Sequence, residues 1–384
     1  MRSDSAVDDI LRALDRVRPL VRERAAEADR RGALSDDVVE WLVRNGLFRL
    51  WIPRRYGGLE FTLPEALAIY QAAARIDGSF GWAVMIGAGG GLFSAYLEPD
   101  AARDVFGQAC AVIAGSGAPQ GRAERVPGGY RASGRWRYAS GAPYATTFTA
   151  NCIVTSGGEP ERDARGEPRI RALAFARADV EILETWDTLG MRATASHDFR
   201  VAEVFVPESR TFSVITDAPR EPLPLYRLPF DVLTELPLAA VALGIADHAL
   251  DAFAELAAAK KPYGAQHVLG GDPVVQSVFA RAYAAARLGE SGVFRLAEHA
   301  MDAVCRGQSL RASELAEITA CCAHTVATLR AAVDELVTLA GMSGIDAESE
   351  LGRAGRDIAT LAAHFSIAPR QLGRAGRELL GGRA

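Results

Sequence analysis

The sequence predicts a mainly α-helical chain with a central β domain, and three observations carry that prediction. Before residue 110, apolar residues recur at helical spacing, as at Ile10, Leu14, Val17 and Val21. From Ala111 the texture changes to short runs in which apolar and polar residues alternate. Beyond a segment holding Pro219, Pro222, Pro224 and Pro229, helical spacing returns and persists.

Taken in order, the first helix turns Ile10, Leu14, Val17 and Val21 to one face and Arg and Glu to the other. Ser35 is expected to cap a second helix that points Val38, Val39 and Leu42 inward and stops at Gly46. Pro53 and Gly57-Gly58 mark a loop, and Pro64 sits where a first helical turn accepts it. Residues 65–76 read as a helix, and so does the Gly-rich stretch 78–96, whose small residues allow close backbone approach. Residues 111–116 read as a buried strand, and Tyr130, Ala132, Gly134, Trp136 and Tyr138 alternate with polar neighbours. Further β-rich runs cover 146–155, 170–176 and 199–206, and the hydrophilic insert 157–168 reads as a hairpin loop. With no helices between them, these strands are expected to form an antiparallel barrel or sandwich. The stretches 239–259, 273–305, 313–339 and 353–366 read as a C-terminal four-helix bundle. The expected domains are a helical N-terminal domain over 1–110, a β domain over 111–218 and a helical bundle over 219–384.

Bulk properties exclude several functions. A formal net charge of −5 and a sequence pI of 5.8 speak against a nucleic-acid partner or an anionic membrane surface. Five cysteines without C-x-x-C spacing fit neither zinc nor a disulfide framework, and suit a reducing cytoplasm. His197, His248, His267, His299 and His324 have no partners at metal spacing, so no metal is expected. Residues 1–10 carry acids and lack the apolar core of a signal peptide. Apolar stretches are broken by Gly, Asp or His short of a membrane span.

Over nearly its whole length the chain resembles the acyl-CoA dehydrogenase superfamily. The resemblance rests on NGLFRLWIPRRYGG (45–58), TLGMRATASHDFRVAEVFVP (188–207), ALGIADHALDAF (242–253), and KPYG followed by VVQ (261–276). It implies a flavin held between the β domain and the bundle, in a homotetramer. Within the superfamily, GSFGW (78–82), IAGSGAPQGRAERVPGGYRASGRWRYASG (113–141) and RDIATLAAHFSIAPRQLGRAGRELLG (356–381) are close to the two-component flavin-dependent monooxygenases. The dehydrogenases instead carry a catalytic glutamate followed by Gly-Thr in that last region, whereas residues 366–373 contain no acid. The implied activity is oxygenation of an aromatic or heteroatom-bearing small molecule by reduced flavin (FMN or FAD) and dioxygen through a C4a-hydroperoxide. A separate flavin reductase is implied as partner, and no G-x-G-x-x-G follows a strand at the opening of a helix to bind a nicotinamide. The alternative is an acyl-CoA dehydrogenase-type oxidoreductase with Glu235 as its base.

A reduced flavin that meets dioxygen needs a dry cavity, a hydrogen bond at ring nitrogen N5 and a polar group near the bound oxygen. By resemblance, His364 and Ser140 serve those needs. A histidine suits the task because its ordinary pKa lies near working pH. From position alone His364 reads equally as a buried helix histidine, and Ser140-Gly141 as a turn after a strand. Gly115 and Ser116 close the first strand, where they are expected either to meet the flavin's pyrimidine edge or to form a bulge. Trp82 reads as packing on the ring system or as core. Arg192, Thr194 and Ser196, within the Gly-Met-Arg signature, are expected to bind flavin, with anchoring of the β domain to a helix as the alternative for Arg192. Lys261, beside Lys260, stands near the family's arginine for the cofactor phosphate. Asp357 is expected to be structural, pairing with Arg353 or Arg356.

Overall fold

The computed structural model describes residues 2–381. The N-terminal part holds α1 (Arg2–Arg31), α2 (Asp36–Arg44), α3 (Leu63–Ala74), α4 (Gly78–Gly89) and α5 (Pro99–Phe106). Ile10, Leu14, Val17 and Val21 form the buried stripe of α1. Ser35 has the extended backbone of a cap, but its hydroxyl is bound to Asp37; the Asp37 carboxylate accepts the Val38 N–H at 2.9 Å instead. Glu65 reaches back to the Thr62 N–H at 2.7 Å and Pro64 occupies the first turn of α3. The Gly-rich helix is shorter than its periodicity predicts: α4 ends at Gly89, and Gly90–Ala95 tighten into a 3₁₀ turn.

The central strands are β1 (Ile113–Val126), β2 (Gly129–Ala139), β3 (Thr147–Ser156), β4 (Glu159–Pro160), β5 (Ile170–Ala176), β6 (Glu181–Leu183), β7 (His197–Pro207) and β8 (Thr211–Phe212). They form one sheet in the order β6-β7-β2-β1-β3-β5-β8, with β4 paired to β3. The antiparallel expectation needs correction, because the sheet is mixed: β1 and β3 run parallel, Ile113 opposite Thr147 and Ser116 opposite Ala150. The β1–β2 hairpin is itself the crossover that brings β3 back beside β1, a geometry that alternation of residues does not encode. The hydrogen-bonded path ends at β6 and β8, and no pairing among the described residues joins them.

The C-terminal part comprises α6 (Val232–Ala259), α7 (Pro273–Cys305), α8 (Ala312–Ala340), α9 (Met342–Ile345), α10 (Glu350–Leu361) and α11 (Arg370–Leu379). Among the described residues one helix, α6, is long and apolar enough to cross a membrane, yet 89% of its apolar window is buried inside the molecule. It is the central helix of the bundle, packed by α3, α8 and α10. The fourth predicted helix stops at Leu361 rather than running to residue 366. The chain turns there, with the His364 N–H on the Leu361 carbonyl at 2.9 Å, and so buries Ile367. The helices before and after the sheet share one continuous apolar core, whereas the sheet has its own, built around Trp136, Phe148, Phe175 and Phe199.

Candidate active site

Three segments from distant parts of the sequence converge beside the end of β2. Trp82 lies one turn into α4, whose N-terminus is capped by Asp77 accepting from the Phe80 N–H at 3.1 Å. Ser140 follows a bulge in β2, where the register against β7 shifts between Trp136 and Ala139. Gly141 then turns at φ 75°, where a side chain would strike the Tyr144 ring, and its N–H reaches the Thr194 carbonyl at 2.9 Å. Thr194 and Ser196 come from the loop before β7, pinned to the α1–α2 connection by a bridge between Ala33 and Thr194.

Among the described residues, five non-glycine residues have positive φ, and Tyr138, Met191 and Ala195 are three of them. All three adjoin Ser140, Thr194 or Ser196. Backbone strain is held only where surrounding structure enforces it, and it gathers at functional sites.

The side chains are joined by short hydrogen bonds. The Trp82 indole N–H donates to the Ser140 hydroxyl at 2.9 Å, and the Ser140 and Ser196 oxygens lie 2.7 Å apart. Ser196 lies 2.7 Å from the Thr194 hydroxyl, which donates to the Met191 carbonyl at 2.8 Å. The Trp186 indole N–H reaches the same carbonyl at 2.9 Å, and Tyr138 meets Trp186 edge-on at 6.0 Å.

His364 meets Trp82 edge-on, with ring centroids 6.0 Å apart and planes at 62°. It occupies the turn after α10 rather than a helix interior. Burial pulls its pKa down to about 4, so the expected titration near working pH is replaced by a ring that is neutral at pH 7. The Ser366 N–H points at Nδ1 at 3.4 Å, which leaves the proton on Nε2. Nε2 has no protein acceptor among the described residues. A narrow crevice, too tight in this structure to admit water, is lined by Ser140, Ala83, Ile86, Gly87, Val112, Ile113 and Tyr144.

Other residues singled out in the sequence fall in different surroundings. Gly115 and Ser116 lie on β1 opposite Thr149 and Ala150, two residues along from the cleft-lining Ile113, and the bulge of β1 follows them. Arg192 donates to the Asp29 carbonyl at 2.9 Å, the Thr188 carbonyl at 2.7 Å and the Asp187 carboxylate at 2.9 Å, tying the β domain to α1. Lys261 is exposed in the loop after α6 and joins none of these contacts, while its neighbour Lys260 caps α8 through the Ala340 carbonyl at 2.6 Å. The Glu235 carboxyl group accepts from Thr319 of α8 at 2.9 Å rather than from a residue of the cluster. Burial pushes its pKa up to about 7, with the Thr319 bond opposing.

Asp357 departs from its sequence reading. Arg353 pairs with Asp77 at 3.1 Å and Arg356 with Asp29 at 2.8 Å, so neither forms an ion pair with Asp357. The Asp357 carboxyl group instead accepts the Met191 N–H at 2.6 Å. An acid inside an apolar helix face was a signal, but nothing local pointed to a partner 166 positions away.

Residues 12–98 match the family described as acyl-CoA dehydrogenase, N-terminal domain, and residues 236–369 the acyl-CoA dehydrogenase C-terminal domain. The chain is 30% identical to an indole-3-acetate monooxygenase of Pseudomonas putida, over 91% of this chain and 88% of that protein. It is 29% identical to a pigment production hydroxylase of a Rhodococcus species, over 91% of each. Among solved structures it is similar to XiaF from Streptomyces sp. in complex with FADH2 and glycerol, at 26% identity and a TM-score of 0.89, covering 99% of this chain and 96% of that one. The 3-HSA hydroxylase from Rhodococcus sp. RHA1 shares the fold at a TM-score of 0.88 and 23% identity, covering 97% and 96%.

Proposed function

The chain belongs to the flavin-dependent monooxygenases of the acyl-CoA dehydrogenase superfamily, and on that premise we propose that it oxygenates an aromatic small molecule of the indole or phenol kind beside Trp82, Ser140 and His364. It is an oxygenase component that uses reduced flavin and dioxygen and depends on a separate reductase. The bound flavin supplies the electrons and activates the dioxygen; the protein supplies the surroundings.

The observation that carries this reading is the double contact of Trp82. One indole holds the Ser140 hydroxyl through its N–H and the His364 ring against its edge. A hydroxyl and a neutral imidazole thereby sit along a single apolar wall, as a flavin edge requires. The Ser140 oxygen is placed to accept from the ring edge. The His364 Nε2–H is placed to donate to oxygen without shedding a proton, because the ring is neutral. Trp82 and the apolar cleft residues keep water out, which strengthens both hydrogen bonds. Gly115, Ser116 and Gly141 frame the pyrimidine side of the same ring in this reading, while Thr194 and Ser196, buried behind Ser140, bond to it and to each other rather than to the ring. Lys261 is the candidate for its phosphate end, since Arg192 is engaged by Asp29, Thr188 and Asp187.

The relatives named for indole-3-acetate and pigment oxidation support an aromatic substrate. The test is to supply chemically reduced FMN or FAD, dioxygen and a panel of indole-3-acetate, indole, phenol and the sulfur compound dibenzothiophene, and to search for oxygenated products by mass spectrometry. Products from sulfur compounds alone would overturn the aromatic assignment. A homotetramer built through the bundle is part of this proposal. Val274 and Leu288, 65% and 75% exposed, lie about four turns apart on one face of α7, and light scattering should return the mass of four chains. A cytoplasmic location suits the free cysteines, Cys321 and Cys322 among them.

A further inference from the structure

The hydroxyl chain behind Trp82 has a fixed direction. A carbonyl oxygen carries no hydrogen, so the 2.8 Å contact between Thr194 and the Met191 carbonyl requires the Thr194 hydroxyl to donate. Thr194 has then spent its single hydrogen and can only accept from Ser196 at 2.7 Å. Ser196 is spent in turn, so at 2.7 Å Ser140 must donate to it. Ser140 also accepts from the Trp82 indole N–H, which has no other role open to it. Every hydrogen in the row points the same way, from Trp82 to Met191.

Ser140 therefore faces the cleft with one free lone pair and no hydrogen to give. A reduced flavin bears a hydrogen on N5, whereas the oxidised ring offers a lone pair at that atom. Placed against Ser140, the first makes a hydrogen bond and the second sets two lone pairs against each other. We infer that Thr194 and Ser196 are positioning residues that hold Ser140 as an acceptor, so that the site selects reduced over oxidised flavin. The inference rests on the reading that the flavin N5 edge lies at Ser140. Met191 completes the device: its carbonyl is the fixed end of the row, and its N–H is held by Asp357 at 2.6 Å.

In Thr194→Val the terminal acceptor contact is lost, and Ser196 is free to turn its hydrogen toward Ser140. Ser140 then has a hydrogen to offer the oxidised ring. The dissociation constants of oxidised and reduced FAD and FMN would be measured by titration, the reduced forms anaerobically with dithionite. The ratio of oxidised to reduced constants should fall by about tenfold in Thr194→Val. Ser196→Ala should lower it in the same direction, and Thr194→Ser should restore it. A loss of packing alone would weaken both forms together and leave the ratio unmoved. An unchanged ratio in Thr194→Val and Ser196→Ala, with Ser140→Ala still changing reduced-flavin binding, overturns the directed row but leaves the site. Unchanged binding of both forms in Ser140→Ala overturns the placement of the flavin and the inference with it.

Discussion

The backbone N–H of Met191 lies 2.6 Å from the carboxyl Oδ1 of Asp357, across 166 positions of sequence. This bond joins α10 to the loop that carries Thr194 and Ser196. The other carboxyl oxygen has no partner among the described residues and lies against Gly78, where even a methyl group would come within 2.5 Å of it. The start of α4, the Met191 loop and α10 thus meet at one side chain, and each leads within a few residues to Trp82, Ser196 or His364.

Asp357 makes stability depend on pH. Burial pushes its carboxyl group up to about 8, the Asp77 charge adds to that, and the Met191 N–H and Arg353 pull the other way. Unfolded, it would titrate near ~3.9. Its folded pKa is the higher, so its contribution is fully present below about pH 4 and is lost as pH rises to about 8. Asn keeps an acceptor for the Met191 N–H and has no proton to lose. The Tm advantage of Asp357→Asn over the parent should grow between pH 4 and 8 and then level, as thermal melts across that range will show.

His364→Ala should leave flavin binding nearly intact and uncouple the reaction. Oxygen consumption continues, but hydrogen peroxide replaces oxygenated product, because a hydrogen-bond donor is gone and water enters the vacated space. The pKa of about 4 adds a second signature, since coupling should not follow a histidine titration between pH 6 and 8. The folded pKa is depressed, so the parent loses stability as pH falls from about 6.5 toward 4. His364→Ala should be spared that loss. Unchanged coupling, measured as product per oxygen consumed, would contradict the role given to His364.

Glu235→Gln should turn over like the parent. Its carboxyl group faces Thr319 on α8 rather than Trp82, and an amide can keep that bond. A base for an acyl-CoA dehydrogenase reaction would instead be lost outright. Steady-state rates of the two proteins decide the matter.

Arg192→Ala should lower stability more than it changes flavin affinity. It removes donors from the Asp29 and Thr188 carbonyls at a partly exposed side chain, a cost of about 1 kcal/mol. A Tm lowered by a few degrees, with flavin affinity within about twofold of the parent, is the expected pair of results. A loss of flavin affinity with unchanged Tm would reassign Arg192 to the cofactor.

Elements with strong local signals were legible in the sequence. The stripe Ile10, Leu14, Val17, Val21 and the alternation through Trp136 each report a period that a single element repeats. Pro237 hid the first turns of α6, which begins at Val232. The parallel pairing of β1 with β3 is a property of chain return, and no residue type records it. In the site, motif resemblance singled out Trp82, Ser140, Thr194, Ser196 and His364, and the fold brings them together. The pKa of His364 was misread because burial is a tertiary property. Asp357 was missed as a partner for Met191 because a backbone N–H leaves no mark in the sequence.

If this protein directs dioxygen, activated by reduced flavin, into an organic product, one oxygen atom of that product comes from the gas. The most direct measurement is isotopic. The purified protein, reduced flavin prepared anaerobically and indole-3-acetate, indole or phenol are mixed with ¹⁸O₂, and the products are examined by mass spectrometry. Protein-dependent product carrying one ¹⁸O atom is expected, with NADH or NADPH failing to replace the reduced flavin. Unlabelled product, or stoichiometric hydrogen peroxide with no oxygenated product from any of the three compounds, would contradict that expectation.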